Sequence, residues 1–199
     1  MFGSRLLWRL VLVMALLSVI VVGCGGEAHG PDIEWKTAEV TPENVKVVLN
    51  QKTEVDPSCR DRGFPKSVTK IEVIDHALKP GQKNVHVYFK PTFGNDTYFV
   101  KQVGGTTIRA ASILYENPKI EDVCFFALAE MIDQYANTKE EVALKLCFNR
   151  EIAEKVDWRG LADRHLIDPG SIYRILEGKW YIHPGILKDV KRDEVNLGR

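Results

Sequence analysis

Apolar and polar residues alternate along residues 68–75 and again along residues 85–89. The turn sequence Lys79-Pro80-Gly81-Gln82 lies between the two runs. A period of two residues is typical of a strand with one buried face, and two such runs around a short turn form a hairpin. The pattern therefore predicts a first β-hairpin, and residues 98–103 are compatible with a third short strand.

A longer alternation follows in residues 123–132 and 141–148. The first arm is apolar on both faces, as expected of a central strand, and the second arm alternates cleanly. Residues 133–138 join the two arms, so the pattern predicts a second hairpin. The run 125–132 is also compatible with a helix.

Three other segments have the spacing or the end signals of helices. Apolar residues recur at helical spacing over 106–116, where one of the two threonines at the start is the expected cap. Asn149 is expected to cap a helix that ends near Trp158, and Gly178 is typical of the position just past a helix over 169–177. The predicted fold class is α+β, with an antiparallel sheet of about four or five strands, helices packed on one face and a short C-terminal helical segment.

The first 24 residues follow neither periodicity. Arg5 and Arg9 precede an apolar run from Leu10 to Gly23 that contains no charge. A positive segment followed by an apolar run of this length is typical of an export signal. The run is shorter than the roughly 20 residues that a membrane-spanning helix needs. The pattern therefore predicts a signal peptide.

The sequence Val21-Val22-Gly23-Cys24 resembles the lipobox of bacterial lipoproteins, in which an aliphatic, a variable and a small residue precede a cysteine. The resemblance implies that the Cys24 sulfur receives a diacylglyceryl group and that the chain is cut before Cys24. The membrane would then be a partner through this lipid. The implied location is the cell membrane or the outer membrane, facing outside the cytoplasm. A plain signal peptide with a chance cysteine is the alternative.

This processing divides the chain into four segments. Residues 1–23 are the expected signal peptide, 24–65 a lipid-anchored tether, 66–190 a single α+β domain and 191–199 a charged tail. Two of the 27 basic residues leave with the signal peptide, so 25 basic residues remain against 27 acidic ones. Because nucleic-acid binding needs a basic surface, this balance gives no support for a nucleic-acid partner.

The cysteines are Cys24, Cys59, Cys124 and Cys147. Cys124 and Cys147 are equidistant from the centre of the second predicted hairpin, which places them opposite each other. A disulfide can form between such residues outside the cytosol. Free buried cysteines are the favoured interpretation and the disulfide is the alternative, because a shift of the register by one residue removes the pairing.

Few residues carry a pattern typical of catalysis. The histidines lack the spacing of a zinc site and the glycines lack the ending of a phosphate-binding loop, so neither a metal nor a cofactor is expected. Gly104-Gly105 is interpreted as a helix-opening turn whose N–H groups could hold an anion. His76 and His165, each near an aspartate in the sequence, are the candidates for a general base.

Three further patterns are weaker. Residues 67–70 match the S-x-x-K motif of a serine nucleophile, but in a strand the serine and the lysine point to opposite faces. Glu130 and Asp133 are a possible carboxylate pair near the tip of the second hairpin. The aromatic residues that could stack on cell-wall sugars, or else close the core, are Trp158, Trp180 and Tyr181.

These observations favour a membrane-anchored bacterial lipoprotein whose domain binds or scaffolds another component of the cell envelope without catalysis of its own. An envelope protein is the expected partner. An envelope hydrolase that acts on peptidoglycan or esters through a His/Asp base is one alternative. A small solute-binding lipoprotein is another, although a single domain lacks the two lobes with which such receptors usually close on a ligand.

Overall fold

One mixed sheet organises the computed structural model, which describes residues 33–55, 67–92, 94–132 and 135–198. The strands of these residues lie side by side in chain order. They are β1 Val68–Asp75, β2 Lys83–Phe89, β3 Ile120–Ile132, β4 Thr138–Asn149 and β5 Trp180–Ile182. Neighbouring strands are antiparallel except β2 and β3, which run parallel.

The helices of the described residues are α1 Pro42–Val55, α2 Asp96–Leu114, α3 Arg150–Lys155, α4 Trp158–Ile167, α5 Ser171–Ile175 and α6 Pro184–Leu187. Both predicted hairpins are present, and residues 125–132 are strand rather than helix. The α+β class and the short C-terminal helix are therefore confirmed. The sheet is mixed because α2 crosses from the end of β2 to the start of β3, and a crossover of this kind joins parallel strands.

Helix α2 corrects two predictions. Residues 98–103 are helical rather than a third strand, and the helix begins ten residues before the predicted start at 106. Its N-terminal cap is Asn95, whose side chain accepts a hydrogen bond from the Tyr98 N–H at 2.8 Å. The threonines therefore lie in the interior of the helix, where the Thr107 hydroxyl donates to the Gly104 carbonyl. The predicted cap of α3 is confirmed, since the Asn149 side chain accepts from the Ile152 N–H.

One face of the sheet packs against the helices and forms the core. Its buried side chains come from alternate positions of β2, β3 and β4, as the period of two requires. They include Val85, Val87, Phe89, Val123, Phe125, Ala127, Leu144, Leu146 and Phe148. Ala143 is buried beside Leu144 as an exception to the alternation, at the register shift of the β3–β4 pair.

Residues 33–55, within the segment expected to be a tether, pack onto this core. Trp35 is 1% exposed, and its indole N–H donates to the carbonyls of Ile113 and Leu114 at 2.9 and 3.2 Å. Val45 and Leu49 of α1 are fully buried. Residues 31–199 form one compact unit, which includes this segment.

The C-terminal residues pack on the same unit. Helix α5 begins at Ser171 rather than at 169 and ends before Gly178, whose φ of 73° is in the left-handed region. Within the residues expected to form a charged tail, Val195 is fully buried. Glu194 forms an ion pair of 2.7 Å with Lys101 of α2.

Candidate functional site

The second face of the sheet, here called the open face, carries half-buried and exposed side chains. It consists of the residues that alternate with the core positions. A row of five such residues crosses all five strands in register. This aromatic–lysine row consists of Lys70, Tyr88, Phe126, Lys145 and Tyr181.

The rings of the aromatic–lysine row stand side by side. The Tyr88 and Phe126 rings stack with their centroids 4.5 Å apart and an interplanar angle of 11°. Lys70 Nζ lies 5.5 Å from the Tyr88 centroid, and Lys145 Nζ lies 5.4 Å from the Phe126 centroid. The ring faces therefore contact each other and the lysines, which leaves the ring edges for solvent. Since the edge is the positive end of an aromatic quadrupole, the row favours anionic groups.

A carboxylate, Glu72, connects the row to a histidine. Tyr88 Oη donates to Glu72 at 3.1 Å, Lys70 Nζ lies 2.5 Å from the carboxylate, and His86 Nδ1 lies 3.5 Å from it. The hydrogen bonds from Lys70 and then Tyr88 lower the pKa of Glu72. Burial and the same Glu72 contact raise the pKa of Tyr88, so the tyrosine stays a donor. An ionised Glu72 held in this way orients the His86 ring.

Sequence reasoning did not identify the Glu72–His86 pair. A signal was available, because both residues lie on the polar side of the first predicted hairpin. Counting outward from the predicted turn at residues 79–82, however, places Glu72 opposite Phe89, whereas the observed register pairs Glu72 with His86 across a longer turn.

Cys124 and Cys147 form a disulfide on the open face, at directly opposite positions of β3 and β4. Both residues are half-buried. His86 lies beside Cys124 on β2. Lys179 lies beside Cys147, whose N–H donates to the Lys179 carbonyl at 3.0 Å. The residues beside the bond are therefore His86 of β2 on one side and Lys179, which directly precedes β5, on the other.

The two predicted general-base histidines have structural hydrogen bonds. His76 Nδ1 accepts the N–H groups of Leu78 and Lys79 at 3.1 and 3.0 Å, which closes the turn after β1. Its Nε2 lies 3.6 Å from Asp122 rather than beside Asp75. His165 is buried, and its Nε2 donates to the Lys101 carbonyl at 2.9 Å. The geometry therefore gives neither ring an evident catalytic role.

Gly104-Gly105 is not a helix-opening turn, because both glycines lie within α2. A Cβ atom on Gly104 would lie 2.6 Å from Cε1 of His165, which is on α4. The glycines therefore allow α4 to approach α2. Their amide groups are inside the helix, which removes the expected anion site.

The predicted aromatic platform does not form. Trp158 packs between Tyr115 and Phe148, at centroid distances of 6.2 and 5.7 Å. Trp180 contacts the Tyr173 ring of α5 at 5.7 Å. Tyr181, the next residue of β5, points to the opposite face and is 44% exposed. Consequently these three side chains belong to different environments.

The remaining acidic and S-x-x-K candidates also separate. Glu130 is exposed and lies opposite Glu140, while Asp133 lies outside the described residues. Ser67 precedes β1, and Lys70 of the same motif forms its ion pair with Glu72. The motif therefore does not lie on a helix, where the serine and the lysine would share a face.

The helical layer contains a separate cavity of about 380 Å³ between α3, α4 and α5. Its lining combines apolar side chains such as Leu161 and Ile175 with the charged side chains of Lys155, Asp157 and Arg164. Among the described residues, no three His, Cys, Asp or Glu side chains cluster in a way that could hold a metal ion. No described helix is both long enough and apolar enough to cross a membrane.

No protein-family model, no curated protein and no solved structure matches this chain. Cys24, the expected lipidation site, lies outside the described residues, as does Cys59.

Proposed function

We propose that the protein is a lipid-anchored, non-catalytic binding domain of the bacterial cell envelope that contacts a protein partner through its open face. The anchor rests on the resemblance of Val21-Val22-Gly23-Cys24 to a lipobox. The observation that supports binding is the aromatic–lysine row, in which a stacked Tyr88–Phe126 pair is flanked by lysines on the open face of the sheet. Aromatic side chains are enriched at the centres of protein interfaces.

The charges on the open face favour a partner that presents carboxylates. Lys70 is neutralised by Glu72, but neither Lys145 nor Lys179 has a carboxylate oxygen within 4.0 Å among the described residues. Lys145 is instead held over the Phe126 ring. A cation with a fixed position and no carboxylate partner is available to a complementary anion, and such pairs determine specificity and association rate.

A membrane surface or a nucleic acid fits this face less well. Glu130 and Glu140 lie opposite each other on the same face, so the lysines do not form a continuous basic patch. Anionic bilayers attract clusters of basic residues. The arrangement therefore favours a local, carboxylate-bearing surface on a protein.

Site-specific photo-cross-linking in intact cells tests this proposal. A photoreactive residue at Tyr181, on the open face, is expected to capture one envelope protein. The same residue at Ile167 of α4, which is 90% exposed in the helical layer, is expected to capture none. Lys145→Glu should abolish the Tyr181 cross-link by repelling carboxylates. Lys155→Glu, a matched change on α3, should leave it intact.

Three results would contradict binding through the open face: equal capture from Ile167, capture that survives Lys145→Glu, and cross-links to lipid or glycan alone. The anchor is tested separately by Cys24→Ala. This variant should lose lipid labelling and accumulate as uncut precursor, as shown by metabolic labelling and intact mass. A normally processed Cys24→Ala protein would disprove the lipobox without affecting the cross-linking result.

A further inference from the structure

We propose that the Cys124–Cys147 disulfide is a thiol–disulfide exchange site, at which the His86 imidazole gives a proton to the departing Cys124 sulfur. The proposal does not depend on the partner protein inferred above. It rests on where the bond lies and on the side chains around it.

The bond lies on the open face rather than in the core. Cys124 and Cys147 are half-buried, whereas the neighbouring core residues Val123, Leu146 and Phe148 are almost fully buried. Reactive cysteines occur in partly exposed, electropositive surroundings, while cysteines buried in apolar surroundings are inert. The Cys124–Cys147 bond is therefore partly exposed, as a reactive disulfide needs to be.

The surroundings of the bond are also electropositive. Lys145 lies two residues before Cys147 on the same face of β4, and Lys179, which directly precedes β5, lies beside Cys147 through a backbone hydrogen bond. Neither lysine has a carboxylate oxygen within 4.0 Å among the described residues, although the charge of Lys179, after the hydrogen bond from Lys155, contributes to lowering the pKa of the more distant Glu151. The acids of this region have other partners, since Glu72 contacts Lys70 and Asp122 contacts His76. A positive field of this kind stabilises a thiolate.

His86 can supply the proton. It lies beside Cys124 in the parallel register of β2 and β3, whose strands are about 4.8 Å apart. Its Nδ1 faces the Glu72 carboxylate, which Tyr88 and Lys70 hold in place. With Nδ1 directed at Glu72, Nε2 is the nitrogen that can exchange a proton with the sulfur.

The reaction requires a dithiol as reductant. One thiolate of the dithiol attacks Cys147 Sγ and forms a mixed disulfide, while the Sγ–Sγ bond breaks and its electron pair leaves on Cys124. The Cys124 thiolate takes a proton from the His86 imidazolium. The second thiolate of the dithiol then displaces Cys147 Sγ. The dithiol loses two electrons and becomes a disulfide. The two protons released when its thiols ionise balance the two taken up, because one returns to His86 after the imidazole has protonated Cys124 and the other protonates the departing Cys147 thiolate.

The fold permits this exchange without unfolding. The β3–β4 register continues from Asp122–Asn149 to Ile132–Thr138, so the backbone ladder holds both cysteines in place when the bond opens. The two thiols therefore remain opposite each other, and the reverse reaction needs no rearrangement.

The test uses the full-length protein in detergent with dithiothreitol as the dithiol. Quenched samples are alkylated, and the peptides that contain Cys124 and Cys147 are quantified by mass spectrometry. We expect the Cys124–Cys147 bond to be reduced in native buffer at a rate at least about tenfold higher than the rate at which the same sample unfolds globally. In the reduced protein, alkylation of Cys124 should reach half its maximal rate below about pH 8.5. The ordinary pKa of a cysteine thiol is about 8.5, and nearby cations favour the thiolate.

The pH dependence of this alkylation separates exchange chemistry from a structural role. The titratable and charged groups that face the pair come from β1 to β4 and the residue before β5. They are Lys70, Glu72, His86, Tyr88, Asp122, Lys145 and Lys179, together with Glu151 of α3, which interacts with Lys179.

His86→Gln and Lys145→Gln should each move the alkylation midpoint upward, while Lys155→Gln should leave it unchanged. His86→Asn provides a second variant if His86→Gln does not fold, and it should move the midpoint in the same direction. Reduction no faster than unfolding would overturn the proposal. A midpoint at or above pH 8.5, or one unaffected by any of these variants, would overturn it equally.

Discussion

Gly104 determines how closely two helices approach in this protein. His165 of α4 lies against the position where a Gly104 side chain would begin, and its ring donates a hydrogen bond to the backbone of α2 through the Lys101 carbonyl. The pair explains both a glycine in the interior of a helix and a buried histidine. In the sequence each residue resembled a functional signal, because the contact that explains them joins positions about 60 residues apart.

Gly104→Ala is expected to reduce the free energy of unfolding by up to about 2 kcal/mol. Overpacking against His165 costs about 1–3 kcal/mol, and the higher helix propensity of alanine returns about 1 kcal/mol. Urea unfolding of the variant and the wild type measures the difference. Gly105→Ala is the matched control, because its nearest contact with His165 is 3.3 Å and a smaller loss is expected. Equal losses at the two glycines would contradict the steric explanation.

The elements differ in how much of them the sequence reveals. Each hairpin is local, so alternation and a turn sequence predict it, and symmetry about the second turn places Cys124 opposite Cys147. Helix α2 is different, since thirteen of its nineteen residues are buried. Burial on most sides removes the contrast between faces that marks an amphipathic helix, and the two glycines resemble a turn.

The candidate site was predictable only in part, for a related reason. Lys145 and Cys147 fall on the outward side of the predicted strand, as observed. The stack of Tyr88 on Phe126, however, crosses the parallel pair of β2 and β3. The register of that pair depends on how α2 packs across the sheet, and no local pattern encodes it.

Asn95→Ala is expected to cost about 1 kcal/mol of stability, because the start of α2 loses the side chain that accepts the Tyr98 N–H. Asn95→Asp should retain most of the wild-type stability, since a carboxylate also accepts this hydrogen bond and is favourable at a helix N-terminus. Thermal and urea unfolding of the two variants provide the comparison. If both variants behave alike, the cap does not stabilise α2.

At the scale of the whole molecule, residues before the sheet and residues after it complete the helical layer. Trp35 contacts the C-terminal end of α2 from one side, and its carbonyl accepts from the Asn117 side chain at 2.7 Å. In the C-terminal segment, Val195 is buried, and Glu194 forms an ion pair with Lys101 in the N-terminal half of α2. Helix α2 is therefore enclosed by the sheet and by both terminal segments.

A chain that begins at Ser67 should consequently be much less stable than one that begins at Pro31. Loss of a buried tryptophan alone costs about 3–5 kcal/mol, and the shorter chain also loses Val45 and Leu49 of α1. Because small domains are stable by only about 5–15 kcal/mol, we expect the shorter chain to populate unfolded or partly folded states at room temperature. Near-ultraviolet circular dichroism and urea unfolding of the two chains measure this. Equal stability would mean that the independent folding unit begins near residue 66, and that residues 33–55 add contacts without contributing to the stability of the core.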